Sequence, residues 1–226
     1  MKIKTPLTKQ RLRTHFTYHL WKYLLAAALT AFGINMLYTT TAYRSPENLR
    51  VDIYLQSTTA TQERVDAFMK DVWQKSVPDM ETVSTILLTA GSTDDYYSNM
   101  QLSVYIMAGE GDLYGLSTED FKRFAAQGVF MDLSPFVESG ALNVEGIDLS
   151  SGYVTLLDDE GNPTDTNALY GIPLYTLYGY MDGMGLDNRN LVIGVTTFNQ
   201  NEENVIAFLN GLIQSGRGDM PERLKQ

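Results

Sequence analysis

The stretch whose reading decides the fold is residues 100–138, MQLSVYIMAGEGDLYGLSTEDFKRFAAQGVFMDLSPFVE. It reads as a helix end, a glycine break at Gly109 and Gly111, a short strand over 112–116 and a capped second helix. Ser117 and Thr118 are the candidate N-caps, with Asp120 three residues after Ser117 in the capping-box arrangement. Phe121, Phe124 and Ala125 fall at i, i+3 and i+4 and predict one buried face, with Lys122 and Arg123 turned outward. Gly128 is placed to take the left-handed conformation that closes the helix.

Working back from there, residues 49–55 alternate apolar (Leu49, Val51, Ile53, Leu55) with polar or aromatic positions and predict a first strand. After a polar turn, residues 62–75 predict a helix with Val65, Phe68, Met69, Val72 and Trp73 on one stripe, ended by Pro78. Residues 82–89 predict a second strand rich in β-branched side chains. Asp94 or Asp95 is then expected to cap a helix carrying Tyr97, Met100, Val104 and Met107. Strand and helix alternating three times predict an α/β lobe with a mostly parallel sheet and covering helices, whose ligands approach the carboxyl ends of the strands. Those ends are Gln56, Ser57 and Thr58 after the first strand and Ser117, Thr118 and Glu119 after the third. The same residues also make an ordinary turn and an ordinary helix cap.

Working forward, residues 138–163 read as irregular, with Gly140, Gly146, Gly152 and a turn at 159–163. Residues 191–197 predict another buried strand. Asn199 or Asn201 is expected to cap a helix with Val205, Ile206, Leu209, Leu212 and Ile213 on one face, closed by Gly216. Residues 217–226 are a polar tail.

The order "A-G-x-G-D-L-Y", a helix ending "A-A-Q-G", then "V-F-M-D-L-S-P-F" resembles the family 1 extracellular solute-binding proteins, the maltose-binding type that serves ABC importers. Their pattern is an "aaG-x-x-PD" turn and strand, a helix ending "a-x-x-G" and an "l-x-P/D-L" segment. Residues 169–174, LYGIPL, resemble the "y-a-i-P" strand at which that family's chain leaves its first lobe, and the helix capped by Asn199 or Asn201 resembles the one at which it returns. The resemblance implies a first lobe whose Gln56–Thr58 and Ser117–Glu119 loops, with Tyr175, contact a small solute such as a sugar or oligosaccharide, and an ABC permease or receptor as envelope partner. The sequence departs from the family in its length. A whole second lobe belongs between the two chain crossings, and here only residues 175–190 separate them, too few for a domain. A single lobe lacks the hinge closure that traps ligand. Leu116 stands near where sugar-binding relatives often place a stacking aromatic.

Residues 23–38 are apolar except for Thr30 and Asn35, and Leu20 and Trp21 extend the run toward the length that crosses a bilayer. Tyr18, Trp21 and Tyr23 bracket one end and Tyr38 and Tyr43 the other. Six basic residues and no acidic one lie before it, so the positive-inside rule leaves the N-terminus in the cytoplasm. The expected division is therefore a basic cytoplasmic tail (1–19), a transmembrane signal anchor (20–38), a linker (39–48), an extracytoplasmic lobe (49–216) and a flexible tail (217–226). The alternative is a cleaved signal peptide, with Thr40 and Ala42 as the small residues before a cut after Ala42.

Six of the 17 basic residues precede the apolar run, which leaves 11 against all 27 acids, a balance of −16 for the remainder. So acidic a surface repels phosphate backbones and argues against nucleic acid. The chain has no cysteine, and both histidines, His15 and His19, lie before the apolar run. The expected ectodomain thus lacks the residues for Ser-His-Asp triads, cysteine nucleophiles and the usual zinc sites, and no phosphate-binding glycine motif is present, so neither enzyme activity nor a cofactor is expected. Asp158, Asp159, Glu160 and Asp165 form either a calcium-binding loop or a solvated acidic one, and they lack the EF-hand spacing. Tyr170, Tyr175, Tyr178 and Tyr180 suit sugar stacking or a protein interface, and equally the core and edges of a sheet. Two functions follow: solute binding by one lobe, or a lobe that has become a protein–protein interaction module of the cell envelope.

Overall fold

The computed structural model describes residues 8–41, 43, 45–89, 96–158 and 160–218. The chain divides into two compact units, Met1–Arg44 and Ser45–Gln226.

The first unit is one helix, α1 (Lys9–Thr41). Its portion Thr17–Thr41 is long and apolar enough to cross a membrane, a property that a signal sequence near the N-terminus shares. The threonines inside it spend their hydroxyls on the preceding turn: Thr30 donates to the Ala26 carbonyl at 2.9 Å and Thr41 to that of Leu37 at 2.6 Å. These bonds leave neither hydroxyl hydrogen unpaired on the helix surface.

The second unit is a three-layer α/β lobe. Its strands and helices run β1 (Arg50–Ser57), α2 (Gln62–Ser76), β2 (Thr82–Thr89), α3 (Tyr96–Met107), β3 (Leu113–Ser117), α4 (Thr118–Ala126), α5 (Ser134–Glu138), β4 (Tyr153–Leu157), β5 (Pro163–Leu169), β6 (Ile172–Pro173), α6 (Gly179–Gly183), β7 (Leu191–Val195) and α7 (Glu202–Gly216). Five strands form the main sheet in the order β2-β1-β3-β7-β6. β1 is parallel to β2 and β3, while β7 runs antiparallel to both β3 and β6, so every strand but β7 points one way.

Strand alternation sorts the side chains into two cores. Val51, Ile53 and Leu55 of β1 and Leu191, Ile193 and Val195 of β7 pack under Val65, Met69 and Val72 of α2 and under Val205, Leu209 and Leu212 of α7. On the other face Tyr54, Tyr114, Leu116 and Val192 meet Leu102 and Ile106 of α3 and Phe121, Phe124 and Ala125 of α4. Gly111, at φ +84°, lies against the Tyr54 ring, where a Cβ would approach to 2.6 Å of Cε2. The Tyr54 and Tyr114 rings stack beside it with centroids 4.9 Å apart.

Two sequence expectations change. On α3 the buried stripe is Leu102 and Ile106, whereas Met100, Val104 and Met107 are exposed. The helix is apolar on two sides, and the sheet takes the side with Leu102 and Ile106; Asp94 and Asp95 lie outside the described residues. Residues 153–169, read as loop up to 163, form an antiparallel hairpin, β4–β5, with Tyr153 opposite Leu169 and Val154 opposite Ala168. Its second strand is too polar (PTDTNAL) to show an alternating pattern.

Candidate functional site

The sheet brings the predicted loops together at its carboxyl end. There the buried Gln56 side chain (7 % exposed) joins β1 to β3 and α4. Its Oε1 accepts from the Ser117 amide at 2.6 Å, and its Nε2 donates to Asp120 Oδ2 at 2.8 Å. Ser117 is the N-cap of α4: its Oγ accepts from the Asp120 amide at 3.2 Å, as the capping-box spacing predicts. Asp120 also accepts from Arg123 at 2.7 Å. Four polar groups at the strand ends are thereby satisfied by one another.

The β1–α2 loop is closed in the same way. Ser57 Oγ accepts from the amides of Thr59 (3.2 Å) and Ala60 (2.9 Å). Thr59, which sequence reasoning passed over, donates to the Gly185 carbonyl at 2.8 Å and accepts from the Asp187 amide at 3.1 Å, tying this loop to the segment before β7. Thr118 donates its amide to the Asn190 carbonyl at 2.9 Å. Of the loop residues named from the sequence, Thr58 and Glu119 are the two whose side chains are exposed. Tyr175 turns elsewhere. Its hydroxyl bonds Asp148, which raises the tyrosine pKa; Asp148 in turn is lowered, first by the Ser150 amide and then by Tyr175.

The segment between β6 and β7 seats itself against α2 and α7. The buried Tyr180 donates to the Leu212 carbonyl at 2.8 Å and meets Phe68 edge-on at 5.7 Å between centroids. Asn188, fully buried, donates to the carbonyls of Leu174 and Leu177, the latter at 3.0 Å. Next to it Asp187 and Arg189 form an exposed pair at 2.6 Å, which holds the carboxyl below its usual range. Only the polar run Asp187–Asn188–Arg189–Asn190, an ordinary turn composition, marks these residues in the sequence. Leu116 is fully buried under α4. Tyr170 and Tyr180 are core residues, while Tyr175 and Tyr178 are half-buried.

The acidic loop holds itself together as well. Asp158 Oδ1 accepts from the amides of Glu160 (3.0 Å) and Asn162 (2.8 Å), and these bonds lower its pKa, the Asn162 amide foremost. Asp159 lies outside the described residues.

No family model and no curated protein matches the chain. Among solved structures it is similar to an extracellular solute-binding protein of family 1 from Alicyclobacillus acidocaldarius, at 20 % identity and TM-score 0.40, over 57 % of this chain and 29 % of that one. It is also similar to an ABC substrate-binding protein from Listeria monocytogenes solved with cycloalternan, at 25 % identity and TM-score 0.34, over 54 % and 28 %. A third is a de novo designed cysteine esterase, at 19 % identity and TM-score 0.39, over 57 % and 28 %. The chain thus spans less than a third of the length of these structures.

Proposed function

We infer that this chain is a non-catalytic binding protein of the cell envelope, anchored by α1, whose single solute-binding-like lobe docks a partner protein at the carboxyl rim of its sheet. One observation carries the reading: Gln56, Ser57, Ser117 and Thr118 bond inside the lobe, and of the loop residues that the sequence singles out only Thr58 and Glu119 keep exposed side chains. A small solute needs convergent donors and acceptors in a concavity that buries most of its surface. A protein surface needs less from each contact, because it spreads over a larger area whose rim is polar. The excess of acid in the lobe suits a basic partner surface and rapid encounter with it.

Catalysis fits poorly. The designed esterase is described as a cysteine enzyme, and this chain has no cysteine. The solute reading uses the same rim and rests on the order of the sequence motifs; its ligand class would be sugars or oligosaccharides, and its partner an ABC permease or receptor.

Photo-crosslinking tests the docking reading. A photoreactive residue at Thr58 or Glu119 of the full chain in its own membranes is expected to yield one adduct of constant mass. The same residue at Asn167, on the exposed face of β5, should not. Equal, heterogeneous labelling from all three positions would reject a rim-specific partner.

A further inference from the structure

Among the described residues β2 lies at the edge of the main sheet and pairs only with β1. Its sequence, TVSTILLT, holds no charge, proline or glycine, which are the usual guards of an exposed edge. The described structure supplies one guard instead. Gln62, the first residue of α2, donates its Nε2 to the Thr85 carbonyl at 2.7 Å, and its Oε1 accepts from the Leu87 amide at 3.4 Å. The side-chain amide occupies the place of a neighbouring strand's peptide group, and Asp66 Oδ1 steadies it at 2.7 Å.

These bonds also fix the parity of the edge. Thr85 and Leu87 turn their backbone groups outward, so by alternation Val83 and Thr89 do too, while Ile86 turns its own toward β1. A strand continuing the sheet must set outward residues opposite outward residues. For a second copy of β2 laid antiparallel about a two-fold axis, one register sets all four outward residues, Val83, Thr85, Leu87 and Thr89, opposite one another. Thr85 pairs with Leu87 of the other copy, Val83 with Thr89, and Ile86 faces Ile86 across the axis. Ile86 is the apolar residue that β2 leaves exposed, at 37 %. The register would cover it with its own equivalent, an apolar cross-strand pair of the kind that stabilises sheets.

We propose that the β2 edge is a self-association surface for a second copy of this chain, held closed by the Gln62 side chain. Pairing requires Gln62 to leave Thr85 and Leu87, so the two bonds set the threshold for joining the sheets.

The absence of native cysteine makes the test direct. Across the axis, Ile86 and its equivalent form a non-hydrogen-bonded pair, whose Cα spacing of about 4.5 Å is within disulfide reach. In membranes containing the full chain, Ile86→Cys should form disulfide dimers faster than Met107→Cys, whose parent side chain is 86 % exposed. Adding Gln62→Ala should raise the Ile86→Cys rate about fivefold, the factor that one net hydrogen bond is worth. Gln62→Glu loses the donor but puts a charge on the edge, so it should crosslink less than Gln62→Ala, and it keeps the acidic first turn that favours α2. Thermal unfolding of each variant establishes that the lobe is folded. Folded Ile86→Cys that dimerises no faster than Met107→Cys would overturn the surface. A rate unchanged or lowered by Gln62→Ala would overturn the gate.

Discussion

Replacing Asp112 by Asn should stabilise the lobe at neutral pH. Asp112 sits where β3 begins, and its backbone amide donates to the Asp52 carbonyl at 2.8 Å. Its carboxylate accepts from the Asp52 amide, also at 2.8 Å. Burial pushes its pKa up to about 6 from 3.8; the Asp52 amide and Arg50 pull the other way, and the charge of Asp52 adds to the rise. The folded state therefore holds a proton that the unfolded chain has already lost between the two values. The sign follows. Below pH 3.8 the carboxyl makes no difference; from there to about pH 6 its effect on stability worsens, and above pH 6 the penalty is constant. The shift corresponds to at most about 3 kcal/mol. Because Asp112 is only partly buried, water screens much of that, and about 1–2 kcal/mol is expected. Asparagine keeps an oxygen for the Asp52 amide and removes the charge.

Urea unfolding of the full chain in micelles measures the difference. Trp73 is a ready reporter, since its indole nitrogen donates to the Met80 carbonyl at 3.1 Å; Trp21→Phe removes the only other tryptophan. Asp112→Asn should match the parent at pH 4 and exceed it by about 1–2 kcal/mol at pH 8. A variant no more stable than its parent at pH 8 would refute the argument, because the carboxylate would then be better solvated by its neighbours than in water.

Three further outcomes are expected. Gln56→Leu keeps the volume but leaves the Ser117 amide without its acceptor, and should cost about 2–3 kcal/mol in urea unfolding with an unchanged slope. A cost under about 0.5 kcal/mol would mean that the bridge is dispensable. Ser117→Ala removes the N-cap of α4 and should cost about 1 kcal/mol by the same assay. A phosphatase-type reporter fused after Gln226 should be active only when exported; cytoplasmic activity would contradict the proposed orientation of α1.

The parts of the fold legible in the sequence were those with one strong period. β2 spans the predicted residues, and Ser117 and Gly128 bound α4 as capping chemistry dictates, with Gly128 at φ 78°. α3 was misjudged for a physical reason: with Met100, Val104 and Met107 on one side and Leu102 and Ile106 on the other, its periodicity does not choose a face. Only the packing against Tyr54 and Leu88 does. The β4–β5 hairpin escaped notice because β5 is held by its pairing rather than by apolar side chains. At the rim, topology located the loops, yet nothing in the letters Gln56 or Ser57 says that their amide and hydroxyl turn inward. For Gln56 that depends on Asp120 arriving within hydrogen-bond reach, a tertiary fact, and for Ser57 on the turn folding its own Ala60 amide back onto the hydroxyl.

The most direct test of the binding account is thermal unfolding of the full chain in micelles against sugars, oligosaccharides, peptides and amino acids. Any ligand that binds only the folded lobe must raise its melting temperature by mass action. A protein-docking rim predicts no dose-dependent shift with the sugars or oligosaccharides. A saturable shift with one of them, lost on Thr58→Ala or Glu119→Gln, would contradict docking and establish a solute site in a single lobe.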